Sequence, residues 1–113
     1  MHEYSIVQTL LERVRAEAQA RGATAIHRLS VRVGELSGVE ASLLTAAYET
    51  FRDRTICESA DLDLQVVPAR WECPDCGGVI CRSAPLTCSS CRVPARLVQG
   101  DEIILERIEM EVP

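Results

Sequence analysis

Two cysteine pairs, Cys73-Pro74-Asp75-Cys76 and Cys88-Ser89-Ser90-Cys91, stand eleven residues apart in a segment that cannot otherwise hold itself together. Residues 69–98 contain three prolines and few large apolar side chains, so burial alone does not offset the entropy of ordering them. The two-residue gap lets both sulfurs of a pair face one ion, with backbone N–H groups turned toward them. Two such knuckles complete a tetrahedral set of four thiolates. Gly77 and Gly78 follow the first knuckle, where the turn calls for positive φ. Arg92 follows the second, a mismatch worth about 1 kcal/mol if that residue is left-handed. The pattern predicts a metal site built from Cys73, Cys76, Cys88 and Cys91. Zinc is favoured over iron in a rubredoxin-like centre, since four thiolates closed to solvent are zinc's usual structural setting. A closed site leaves no position for hydrolytic chemistry. Of the remaining cysteines, Cys57 is expected to pack as a small hydrophobe. Cys81 lies inside the segment, and no other cysteine stands at knuckle spacing from it.

The rest of the chain reads as an α+β body. The length of 113 residues suits one small domain with an insert. Ile6, Val7, Leu10, Leu11, Val14 and Ala18 recur at helical spacing, predicting an amphipathic helix over 3–21 that Gly22 stops. Alternation at Leu29, Val31 and Val33 predicts a strand over 25–33, and puts His27 on the same buried face. Gly34-Glu35-Leu36-Ser37-Gly38 is a loop. A second helix over about 40–53 should bury Leu43, Leu44, Ala47, Tyr48 and Phe51, with Ser37 or Glu40 near its positive end. Leu62, Leu64 and Val66 mark a second strand. Residues 103–112 mark a third, with Ile104, Ile108, Met110 and Val112 sharing a face with Glu106. The expected architecture is two helices packed on a small three-stranded sheet, with a four-cysteine zinc-ribbon lobe inserted before the last strand. The body comprises 1–68 plus 99–113, and the lobe 69–98.

Composition removes several functional classes. No apolar run approaches the roughly 20 residues that span a bilayer, so no membrane association is expected. The opening residues lack the pattern of a signal peptide, which predicts a cytoplasmic protein with reduced thiols. A net charge of −5 and four aromatics suit nucleic-acid coating poorly. A zinc-ribbon module that binds nucleic acid or protein in a regulatory role is the alternative reading. Within 69–98, however, Arg70, Arg82, Arg92 and Arg96 oppose Glu72 and Asp75, and four thiolates on one Zn²⁺ cancel the surplus. No nucleophile–base pattern, phosphate loop or histidine pair points to an enzyme. Glu35 and Glu40 read as residues capping and solvating a helix start.

Position 2 carries one of the two histidines. Its size should protect Met1 from removal, leaving a free amine beside backbone amides and an imidazole. That compact set of nitrogen donors suits square-planar Ni(II) or Cu(II), and Glu3 adds a further amide and a carboxylate.

Three stretches together resemble the HypA/HybF family of hydrogenase nickel-incorporation proteins. They are Met1-His2-Glu3 with Ser5 and its helix, the segment from Val31 through Gly34-Glu35-Leu36-Ser37-Gly38 to Glu40, and the insert from Trp71-Glu72-Cys73 to Cys91. The tail from Gly100 to Met110 also fits. Tyr4 and Arg92 depart from the family pattern, where methionine or leucine and glycine are usual. The resemblance implies a metallochaperone, not an enzyme, that delivers nickel during maturation of [NiFe]-hydrogenase. Carried onto this chain, one transported Ni²⁺ would use the Met1 amine, the His2 imidazole and amide, and the Glu3 amide. One structural Zn²⁺ would use Cys73, Cys76, Cys88 and Cys91. The implied partners are the GTPase HypB, the [NiFe]-hydrogenase large subunit and, in some members, urease maturation proteins.

Overall fold

The computed structural model describes residues 2–81 and 85–113. Helix α1 spans Glu3–Arg21 and buries Val7, Leu10, Val14 and Ala18 at helical spacing. It ends as expected: Gly22 takes φ 64°, and the N–H groups of Gly22 and Ala23 return to Gln19 and Ala18 carbonyls. Glu3 in the first turn and Arg21 in the last both suit the helix dipole.

Strand β1 (Ala25–Gly34) is the centre of a three-stranded sheet. Helix α2 (Ala41–Phe51) carries the chain across to β2 (Asp61–Val67), which lies parallel to β1. The last strand of the chain pairs antiparallel on the other side of β1, over Ile103–Glu111. Leu29, Val31 and Val33 meet Leu44, Ala47 and Tyr48 from α2 and the α1 stripe in one core. Leu43, expected in that core, is 49% exposed instead.

Two irregularities change which side chains point inward. Opposite Met110 and Glu109, β1 carries an extra residue, His27, between Ile26 and Arg28. Opposite Ser30 and Val31, the last strand carries an extra residue, Glu106, between Arg107 and Leu105. Each is a β-bulge, and each reverses the alternation beyond it. The first turns His27 out to solvent and Ile26 into the core, so His27 is not the packed residue that strict alternation predicts. Its imidazole Nε2 lies 3.8 Å from Glu111 Oε1 at the sheet surface. The second puts Ile103 and Leu105 on the inner face together with Ile108 and Met110. Ile104 is consequently exposed, at 45%, and Val112 is 50% exposed because the strand ends at Glu111, both against the expectation that they share the buried face.

The outer face of the sheet is charged. Arg28 pairs with Glu109 at 3.8 Å and Arg32 with Glu106 at 3.3 Å.

The Cys-rich segment has its own small sheet, which alternation did not reveal. In chain order its strands are β3 (Arg70–Glu72), β4 (Val79–Ile80) and β5 (Arg96–Gln99), with β3 in the middle; the final body strand is therefore β6. The molecule measures 55 × 28 × 17 Å, with a radius of gyration of 17.9 Å. A compact chain of this length has a radius of about 13 Å. The segment thus projects from the body.

Candidate metal centre

The sulfurs of Cys73, Cys76, Cys88 and Cys91 all lie within 4.8 Å of one another, and Cys76 and Cys88 are separated by 3.9 Å. Tetrahedral coordination at a Zn–S distance of about 2.3 Å places sulfurs slightly under 4 Å apart, so the set has the right size for zinc. Two loops of matching construction bring them together. In the first, Cys73 N–H donates to Gly78 O at 2.9 Å and Gly77 N–H to Cys73 O at 2.9 Å. In the second, Cys88 N–H donates to Val93 O at 2.9 Å and Arg92 N–H to Cys88 O at 2.8 Å. Gly77 and Arg92 occupy equivalent places, with φ of 74° and 57°. Arg92 is therefore left-handed, as the knuckle requires, at the cost of a side chain that disfavours it.

The backbone also prepares the sulfurs for charge. Asp75 and Cys76 N–H groups donate to Cys73 Sγ at 3.4 and 3.5 Å, and Cys91 N–H donates to Cys88 Sγ at 3.4 Å. Bonds from the Cys91 and Ser90 amides bring the Cys88 thiol down to about 7. Cys91 is pushed up to about 12, chiefly by hydrogen bonding with the Cys73 and Cys76 sulfurs. Four thiolates this close repel one another, and a divalent cation removes that repulsion. Cys81 is exposed and is not a member of the four-sulfur cluster. Cys57 is fully buried in the body core beside Tyr48, where burial raises its thiol pKa.

The projecting segment is fastened to the body by the Gly34–Gly38 loop, a role its sequence did not disclose. Gly34 N–H donates to Glu102 O, Glu35 N–H to Val67 O and Leu36 N–H to Gly100 O, at 2.8, 2.8 and 2.6 Å. The Glu35 carboxylate accepts from Ala69 N–H at 2.7 Å. One loop thus holds both chain crossings between body and segment. Glu40 occupies the N-cap position of α2 without a side-chain capping bond, and the Ser37 hydroxyl accepts from Val39 N–H instead.

At the other predicted site, His2 is the N-cap residue of α1, extended and exposed. Its imidazole makes no capping hydrogen bond. Glu3 opens the helix, and Met1 lies outside the described residues. The first helical bond runs from Ile6 N–H to His2 O at 3.3 Å. The amides ahead of Ile6 therefore have no acceptor within the helix. Tyr4, the departure at the start of α1, packs edge-on against Phe51 of α2 with ring centroids 5.1 Å apart.

The chain matches the family model described as HypA, "Hydrogenase/urease nickel incorporation, metallochaperone, hypA", over residues 1–110. It is 37% identical to the hydrogenase maturation factor HypA of Shewanella baltica (strain OS185), covering 98% of this chain and 97% of that protein. The Aquifex aeolicus factor of the same name is 33% identical, with 99% of each chain covered. Among solved structures, the solution structure of the Ni metallochaperone HypA from Helicobacter pylori matches with a TM-score of 0.74 and 34% identity over the full length of both chains. A solution structure of a HypA protein matches with a TM-score of 0.79 and 35% identity, covering 97% of this chain and 96% of the other. These likenesses do not favour a nucleic-acid or regulatory zinc ribbon. With its four-cysteine cluster and α+β body, the chain belongs to the HypA family of nickel-incorporation metallochaperones that serve hydrogenase maturation, a family of carriers and not of enzymes.

Proposed function

We propose that this chain carries one Ni²⁺ at its N-terminus and keeps one structural Zn²⁺ in the projecting lobe. Nickel is its cargo, held by the Met1 amine, the His2 imidazole and amide, and the Glu3 amide. Zinc is resident, held by Cys73, Cys76, Cys88 and Cys91. The working division is a body of 1–68 plus 99–113 for nickel and a lobe of 69–98 for zinc. The cargo passes to the [NiFe]-hydrogenase large subunit in the cytoplasm, with the GTPase HypB as the partner in transfer. Urease maturation proteins are a second destination in keeping with the family description.

The observation that carries the nickel assignment is the state of the α1 start. His2 is exposed, its imidazole is not spent on capping, and the neighbouring amides make no helical hydrogen bond. Deprotonating such amides to bind metal therefore breaks no turn of helix. The resulting negative charge falls at the positive end of the helix dipole, which stabilises it. Amide and imidazole donors compete with protons, so nickel is released as the pH falls. A terminal site can also be approached by an acceptor without unfolding the carrier.

Untagged protein with a free Met1 amine should bind one nickel and retain one zinc. His2→Ala should lose the nickel and keep the zinc; nickel binding indifferent to that change would refute the terminal site. Pull-down of HypB and the hydrogenase large subunit by the zinc-loaded chain tests the partners.

A further inference from the structure

The four sulfurs of the cluster are unequally protected. In each knuckle the first cysteine is buried, Cys73 at 1% exposure and Cys88 at 8%. Its sulfur also accepts backbone amide bonds, from Asp75 and Cys76 at Cys73 and from Cys91 at Cys88. Each such bond engages a sulfur lone pair and lowers the electron density offered to an attacking reagent. The second cysteines differ from each other: Cys76 is exposed, whereas Cys91 is half-buried.

The construction of the two loops explains the difference. Cys73 N–H donates to Gly78 O and Cys88 N–H to Val93 O, so Gly78 and Val93 hold equivalent places. Val93 is half-buried, and Gly78 is exposed. A Cβ on Gly78 would lie 3.4 Å from Cys76 Sγ, in van der Waals contact with it. Glycine therefore leaves one side of that sulfur bare, where the second knuckle has a branched side chain. The backbone does not demand this glycine: the positive-φ residue of the turn is Gly77, and Gly78 is not in the left-handed region. Across the gap between the knuckles, Cys88 Sγ lies 3.9 Å from Cys76 Sγ.

We propose that Cys76 is an oxidation site for hydroperoxides, and that its oxidation joins it to Cys88 and releases the metal. The proposal rests on the reading of the cluster as a zinc site. The Cys76 thiolate attacks one oxygen of hydrogen peroxide; the O–O bond breaks, hydroxide leaves, and Cys76 becomes a sulfenic acid. The Cys88 thiolate then attacks the Cys76 sulfur; the S–S bond forms, the S–O bond breaks, and a second hydroxide leaves. Two thiolates are oxidised to one disulfide, and the peroxide takes up both electrons. Cys73 and Cys91 remain as thiolates, too few for a closed tetrahedral site. Burial alone does not order residues 69–98, so the lobe loosens as the metal departs. A thiol reductant and Zn²⁺ together restore the four-sulfur set.

The test treats the full-length, zinc-loaded chain with hydrogen peroxide while a chromogenic chelator reports zinc and unreduced tryptic peptides are mapped by mass. Cleavage at Arg70, Arg82 and Arg92 puts Cys73, Cys76 and Cys81 on one peptide and Cys88 and Cys91 on another. Zinc release should keep pace with the joining of these two peptides, and fragmentation should place the bond between Cys76 and Cys88. Gly78→Val should slow the release several-fold with zinc affinity in the absence of peroxide unchanged, and Val93→Gly should quicken it. Cys81→Ser should release zinc at the parent rate. A chain that holds no zinc before treatment would refute the zinc reading and this proposal with it. A loaded chain whose zinc survives peroxide would overturn the proposal alone. So would a bond confined to one knuckle, a Gly78→Val chain that reacts as fast as the parent, or protection by Cys81→Ser.

Discussion

Gly34 and Gly100, distant in sequence, are packed backbone against backbone. A Cβ on Gly34 would fall onto the Gly100 carbonyl group, and one on Gly100 would lie 2.6 Å from Ala69 Cα and 2.9 Å from Ala69 N. This is the point at which the four-cysteine lobe leaves the body and returns to it. The closeness is what lets the Gly34–Gly38 loop reach the backbone of 67, 69, 100 and 102 at once.

Alanine at either glycine should therefore loosen this junction. Gly100→Ala suffers twice, since φ is 103° and the approaching atoms are backbone. We expect losses of about 1–3 kcal/mol for each change in thermal or urea unfolding. Gly38→Ala is the control: φ is 81°, but open space surrounds it, so only the roughly 1 kcal/mol conformational cost applies.

Glu35→Ala removes the acceptor of the Ala69 N–H. The amide is near solvent, so the cost should be about 1 kcal/mol. Amide exchange at Ala69 should quicken in the variant while exchange in β1 stays slow. Glu35→Gln, which keeps a side-chain oxygen, should restore most of the protection.

Arg92→Gly should strengthen the second knuckle. Its φ of 57° is natural for glycine and disfavoured for arginine. Glycine also loses more entropy on folding, which leaves a net gain of about 0.5–1 kcal/mol. The zinc-loaded variant should melt at a higher temperature and give up zinc to a chelator more slowly. An unchanged melt would mean that the metal already dictates the turn.

Zinc binding should be proton-linked with a definite sign. Without metal, the Cys91 thiol at about 12 is protonated at neutral pH and Cys88 at about 7 is roughly half ionised. Loading zinc at pH 7 must therefore expel more than one proton, because zinc binds thiolates. Affinity rises with pH, and the lobe loses metal and order as the solution is acidified. Calorimetry in buffers of different ionisation enthalpy counts the protons, and a chromogenic chelator follows the release. Uptake without proton release would contradict this thiol arrangement.

Tyr48→Phe should cost about 1 kcal/mol and no more. The Tyr48 hydroxyl donates to Ala60 O at 2.8 Å in the core, but Arg52 Nη1 donates to the same oxygen at 2.8 Å. The carbonyl stays satisfied when the phenol is lost, so the larger penalty of an unpaired buried acceptor does not arise. Equilibrium urea unfolding measures the difference.

Local chemistry made much of this molecule legible in its sequence. Helical periodicity from Ile6 to Ala18 and the stop at Gly22 depend on neighbours within one turn, and both stand in the structure. The pairing of Cys73 with Cys76 and of Cys88 with Cys91 is equally local, and two short knuckles leave few arrangements other than one tetrahedral cluster. The left-handed turn at Arg92 followed from the symmetry of those knuckles.

Tertiary structure decided what depends on register and on distant approach. Counting by twos along a strand assumes that its partner advances in step. The bulges at His27 and Glu106 each break that step, which sends His27 and Ile104 outward and Leu105 inward. Neither bulge has a local signature, because it is defined by the strand opposite. The role of Glu35 was hidden for the same reason. Its partner, Ala69, and the glycine contact beside it come together only when both ends of the lobe are brought to one loop.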